Sequence, residues 1–67
     1  MSEILLNGKS KQITNGFTVM ALIKDLALEN KRLAVEINQE IVPKSQFEQC
    51  ILAHGDKVEI IHAIGGG

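Results

Sequence analysis

The chain predicts an α+β domain in which one helix packs across one face of a four- to five-stranded mixed sheet. Three observations carry this. Short apolar runs, such as Ile4-Leu5-Leu6, Leu33 to Ile37 and Val58 to Ile64, are separated by turn residues. Between Val19 and Leu26 the apolar residues instead take helical spacing. The resulting order is hairpin, helix, strand, short strand and final strand.

The elements follow in order. Ile4-Leu5-Leu6 ends at Asn7-Gly8, the strongest short hairpin signal, because both residues tolerate the positive φ of a type I′ turn. Lys9 to Thr14 returns as a polar strand with Ile13 as its main apolar contact, and Lys9 and Lys11 suit an exposed edge. Asn15-Gly16 is a further turn. Thr18 is the expected N-cap of the helix. Val19, Leu22, Ile23 and Leu26 fall on one face, with Lys24 and Asp25 pointing away. The helix is expected to end near Glu29 or Asn30, since Asn accepts the left-handed cap position.

Leu33 to Ile37 is a strand with Val35 and Ile37 facing the core and Glu36 outward. Asn38-Gln39 turns the chain into a very short strand, Glu40-Ile41-Val42, which Pro43 ends because it has no N–H for a ladder. Residues 44–50 are expected to be irregular, with one helical turn and Phe47 as an apolar plug; Ile51-Leu52 adds a short apolar contact. His54-Gly55-Asp56 is a turn before the last strand, which is apolar on both faces: Val58 and Ile60 on one, Ile61 and Ala63 on the other. Such a strand is central in its sheet or meets a partner with its outer face. Leu5, Ile61 and Ala63 are therefore the candidate partner interface, unless segment 44–52 covers them.

Sixty-seven residues make one domain, 1–67, and 45% apolar content favours folding over disorder. With 3% aromatic residues, the core must be aliphatic. A net charge of −1 leaves no basic excess for a phosphate backbone, and with no Tyr or Trp to stack bases, nucleic acid is not the expected partner. A single cysteine, Cys50, cannot form an internal disulfide or a CxxC site. Neither a signal-peptide pattern nor a membrane-length apolar run is present in the sequence, so the expectation is a soluble cytoplasmic protein.

Taken together, the order of elements resembles the ubiquitin-like β-grasp fold. More narrowly, the chain resembles the ThiS family, the sulfur carriers of thiamine biosynthesis. The resemblance rests on the apolar strand closing on Asn7; Val19 and Leu22 opening the helix; Ala34-Val35-Glu36-Ile37-Asn38 followed by Ile41-Val42-Pro43; Gly55-Asp56-Lys57-Val58-Glu59-Ile60; and the terminal Gly66-Gly67. The segment through Pro43 favours the thiamine carrier over the related molybdopterin carrier. Lys44 departs from the arginine more usual there, keeping the charge and losing a bidentate donor.

The resemblance implies a chemistry for the tail. In the family, a ubiquitin-activating-like enzyme uses ATP to adenylate the C-terminal glycine. Sulfur then replaces one oxygen, and the thiocarboxylate donates its sulfur to thiazole synthase. Gly67 would carry the group, with Gly65 and Gly66 a flexible leash at 65–67 thin enough for a narrow channel. A carboxylate is a poor electrophile and needs activation, yet no catalytic triad, phosphate-binding loop or metal cluster is legible in the chain. Catalysis is thus expected from partners: an adenylating enzyme, thiazole synthase and a sulfur donor such as a cysteine desulfurase. No bound cofactor is expected, and the partner consumes the ATP. Carriage of sulfur for molybdopterin, protein modification through Gly67 and a non-catalytic β-grasp binding module are the competing readings. His62 and His54 read as solvated or interface histidines and Cys50 as a small, partly buried residue.

Overall fold

A computed structural model describes residues 1–62 of the chain. The elements run β1 (Ser2–Leu6), β2 (Lys9–Ile13), α1 (Val19–Asp25), β3 (Leu33–Ile37), β4 (Glu40–Val42), a single 3₁₀ turn (Lys44–Gln46) and β5 (Lys57–His62). The five strands form one mixed sheet in the order β2-β1-β5-β3-β4. β5 is central, parallel to β1 and antiparallel to β3. This is the β-grasp arrangement, with α1 across one face. The glycine tail and Ala63 lie outside the described residues, as do the last positions of the predicted final strand.

Two turns set the register of the outer pairs. Asn7 and Gly8 have φ of 49° and 83°, and Asn38 and Gln39 have 52° and 73°. Positive φ at both central residues marks type I′ turns, whose twist matches that of the flanking strands. β1 and β2 therefore pair from Leu6↔Lys9 to Ser2↔Ile13, and β3 and β4 from Ile37↔Glu40 to Val35↔Val42.

The core is aliphatic with one aromatic plug. Ile4, Val19, Leu22, Val35 and Val58 are essentially sealed from solvent, and Ile13, Ile23, Phe47, Leu52 and Ile60 complete it. Thr18 caps the helix as expected, its Oγ1 accepting from the Ala21 N–H at 3.0 Å. Leu52 is buried while Ile51 stays exposed, so only half of that predicted apolar pair enters the core.

The helix stops earlier than the sequence suggests. It ends at Asp25 with Leu26 as its C-cap, and Ala27, not Asn30, takes the left-handed position at φ 60°. The Leu28 N–H reaches the Ile23 carbonyl at 2.9 Å and the Ala27 N–H the Lys24 carbonyl at 3.0 Å, the two bonds of a Schellman cap. The cause is Leu28. At 100° per residue a continued helix would carry it about 180° from Val19, into water. Ending the helix at Leu26 turns Leu28 back onto the core, where it packs half-buried. That partial burial, together with the two cap hydrogen bonds, offsets the cost of an alanine in the left-handed region, about 1–2 kcal/mol.

Candidate functional site

The site is the end of β5, from which the 63–67 tail continues, and the face of the sheet beside it. Two asparagines hold the strand. Asn7 accepts from the Ile60 N–H at Oδ1 (2.9 Å) and donates from Nδ2 to the Ile60 carbonyl (3.3 Å), while its own N–H bonds to the Val58 carbonyl at 2.8 Å. The main-chain pairing of β1 with β5 covers only Leu5↔Lys57 and Leu6↔Val58. As β1 leaves the sheet into its turn, the Asn7 carboxamide thus takes over the ladder for one more residue. On the other side, Asn38 accepts from the Lys57 N–H at Oδ1 (3.0 Å) and gives its backbone N–H to the Lys57 carbonyl (2.8 Å). Its Nδ2 donates to Asp56 Oδ1 at 3.1 Å, and Asp56 Oδ2 accepts from the Ala53 N–H at 2.9 Å. Each asparagine sits at the first left-handed position of a type I′ turn, so one residue makes the turn and pins β5.

These roles were not visible in the sequence, where Asn7 and Asn38 are simply turn formers. The usable signal was the choice of Asn over Gly at both first positions. Asn accepts the backbone angle and also brings a donor and an acceptor.

The two faces of β5 differ. Val58 and Ile60 are buried beneath α1, while Ile61 is 61% exposed on the outer face. Leu5, at 41% exposure, shares that face because it pairs with Lys57. Segment 44–52 does not cover them. It packs against α1 instead: the Met20 N–H bonds to the Phe47 carbonyl, the Val19 N–H to the Cys50 carbonyl and the Leu52 N–H to the Phe17 carbonyl. Leu5 and Ile61 do not form one continuous apolar surface, however. Glu59 lies between them along β5 and pairs directly across from Glu36 on β3. The face therefore presents Ile61 beside Ala34, then two opposed carboxylates flanked by Ile41 on β4, then Lys57 beside Leu5.

The remaining singled-out residues take simple positions. His62 is exposed at the end of β5, paired in register with Leu33. His54 is exposed yet bonded: its Nδ1 accepts from the Glu3 N–H at 3.0 Å, tying the 54–56 turn to the start of β1. Cys50 is a free, half-buried thiol. Among the described residues, no group of His, Cys, Asp and Glu could hold a metal ion.

The ThiS family model matches residues 4–67 of the chain. The sulfur carrier protein ThiS of Escherichia coli K12 is 37% identical over 65 residues, covering 97% of this chain and 98% of that protein. A thiazole synthase of Paramagnetospirillum magneticum is 42% identical over 65 residues, and there the chain spans 20% of the longer protein. The crystal structure of the thiamine biosynthesis protein ThiS from Geobacter metallireducens superimposes with a TM-score of 0.80 at 26% identity, covering 97% of this chain and 99% of that one.

Proposed function

The chain belongs to the ThiS family, and from that premise we propose that it is a sulfur carrier whose Gly67 carboxylate becomes a thiocarboxylate supplying sulfur for the thiazole moiety of thiamine. The observation that carries this is a family match running to residue 67, through Gly65, Gly66 and Gly67. The chemistry divides between the chain and its partners. A Gly67 carboxylate oxygen bonds to the α-phosphorus of ATP, and pyrophosphate leaves. The terminal sulfur of a donor persulfide then bonds to the carbonyl carbon and AMP leaves with one of the original oxygens. A thiol on the partner side attacks the resulting acyl disulfide at the donor's sulfur, forming a disulfide with it and freeing the thiocarboxylate, so sulfur stands in the oxygen's place. Adenylation removes the carboxylate's negative charge and supplies AMP as a good leaving group, and this is what makes that carbon electrophilic.

The chain's own part is presentation. β5 is held on one side by Asn7 at Ile60 and on the other by Asn38 at its first residue, Lys57, so the strand that leads to the tail is anchored along its length. Catalysis falls to an adenylating enzyme of the ubiquitin-activating type, with a cysteine desulfurase as sulfur source and thiazole synthase as acceptor. The similarity to a thiazole synthase over a fifth of that protein's length supports the last of these. We read the chain as a carrier without catalytic activity or bound cofactor, working in the cytoplasm beside these enzymes. Among the described residues no helix is long and apolar enough to cross a membrane. Leu5 and Ile61, with Ala63, are the residues we assign to enzyme docking.

Intact-mass spectrometry tests the reading. The chain is incubated with ATP, a ThiS-activating enzyme and a sulfur source, beside a variant lacking Gly67. An oxygen-for-sulfur gain in the full chain alone is the expected result, and the deletion should melt at the same temperature as the parent. The deletion control also separates sulfur uptake from oxidation of Met1 or Met20. No gain, with an enzyme proven on another carrier, would overturn the proposal; higher-mass protein conjugates would point to a modifier instead.

A further inference from the structure

The helix side of the sheet carries a second feature that the tail chemistry does not use. A cleft of about 120 Å³ opens between α1, the 28–33 connection and the 44–47 turn. Its floor is apolar: Ile23 and Phe47 are each 3% exposed, and Leu28 is half-buried beside them. Exposed Lys31, Arg32 and Lys44 line it from two segments of the chain, against the single carboxylate of Glu29. These are three of the seven Lys and Arg residues of a chain whose net charge is −1. Among the described residues the one salt bridge is Lys11–Asp25, so none of the three cations is paired.

We propose that this cleft docks a short apolar segment of a partner protein, flanked by carboxylates. The apolar floor supplies affinity through burial, and the cations select the sign of what approaches. A protein segment fits better than a small anion. Exposed, hydrated cations give little to a single charge, whereas several carboxylates along a segment meet all three at once. The cleft lies on the opposite side of the sheet from Leu5 and Ile61, and Leu33, which lines it, pairs with His62 at the end of β5. An enzyme could grip the cleft while the outer face and the tail remain available.

The test is an NMR titration of the full ¹⁵N-labelled chain with a synthetic peptide in which Leu and Phe alternate with Asp and Glu. Shifts confined to the cleft residues are expected, with binding about tenfold tighter than for the Asn/Gln version of the peptide. The combined Lys31→Glu, Arg32→Glu and Lys44→Glu variant should lose about tenfold in affinity. Its folding is checked by thermal melt, and Lys31→Gln with Lys44→Gln replaces it if it melts early. Absence of shifts at millimolar peptide, equal binding of the neutral peptide, or shifts on the outer face would overturn the proposal. So would hexanoate alone reproducing the peptide's shifts, since that would make the occupant a small carboxylate.

Discussion

Ile60 and Ile61 are neighbours with identical side chains, yet one is 6% exposed and the other 61%. They stand for the two faces of the sheet. The inner face, under α1, holds Ile4, Val35, Val58 and Ile60 in the core. The outer face leaves Leu5, Ile41 and Ile61 in water around the opposed carboxylates of Glu36 and Glu59. Directly opposed like charges on a sheet work against folding, and exposed isoleucines add little to it. The inner face is arranged for stability. The outer face adds little to stability and keeps Leu5, Ile41 and Ile61 in water, the kind of exposed apolar surface that the proposed enzyme docking would use.

Aspartate separates the two faces most sharply. Ile60→Asp should prevent folding, because it places a carboxylate in the apolar core with no partner. Ile61→Asp should leave the domain folded, costing about 1 kcal/mol for a poor strand residue beside Glu59, while weakening binding to the activating enzyme. Circular dichroism melts and a binding titration read the two effects. If Ile61→Asp also unfolds, the outer face is part of the core and the distinction fails.

Next in size is Asn7→Ala, which strips Ile60 of both its side-chain partners and should cost about 1–3 kcal/mol. Urea denaturation measures the total. Amide exchange at Ile60, raised well beyond its neighbours, would locate the loss. A uniform change in exchange would instead assign the cost to the turn. Ala27→Gly should go the other way and stabilise by about 0.5–1 kcal/mol, because glycine meets no penalty at φ 60°. Loss of stability there would show that the Schellman cap is not the preferred ending in solution. Smallest is Glu59→Gln, which removes the repulsion with Glu36 and should stabilise by about 0.2–0.5 kcal/mol at low salt, the gain vanishing as salt screens the pair.

Much of the architecture was readable residue by residue. The stripe from Val19 to Leu26, the Thr18 cap, the Asn7-Gly8 and Asn38-Gln39 turns, the stop at Pro43 and the buried Phe47 each follow from interactions spanning a few residues. Helical spacing, cap chemistry and left-handed tolerance are local properties, so a linear reading captures them. The family was legible too, through motifs spread along the chain in a particular order. Ala63 was named from the alternation of the last strand and the role of the Gly65–Gly67 tail from that resemblance, and both lie beyond the described residues.

Other features needed the folded chain. That β5 lies between β1 and β3 depends on pairings across more than fifty residues. So does the second use of Asn7, whose carboxamide meets Ile60 across 53 positions. The early helix stop came from competition: Asn30 offered a better cap, but Leu28 gained more by turning onto the core. Segment 44–52 could have covered either face, and its backbone bonds to Phe17, Val19 and Met20 placed it beside α1. Local rules state what each segment can do. Which permitted option is taken depends on burying the most apolar surface with every backbone group paired, and that sum exists only over the whole fold.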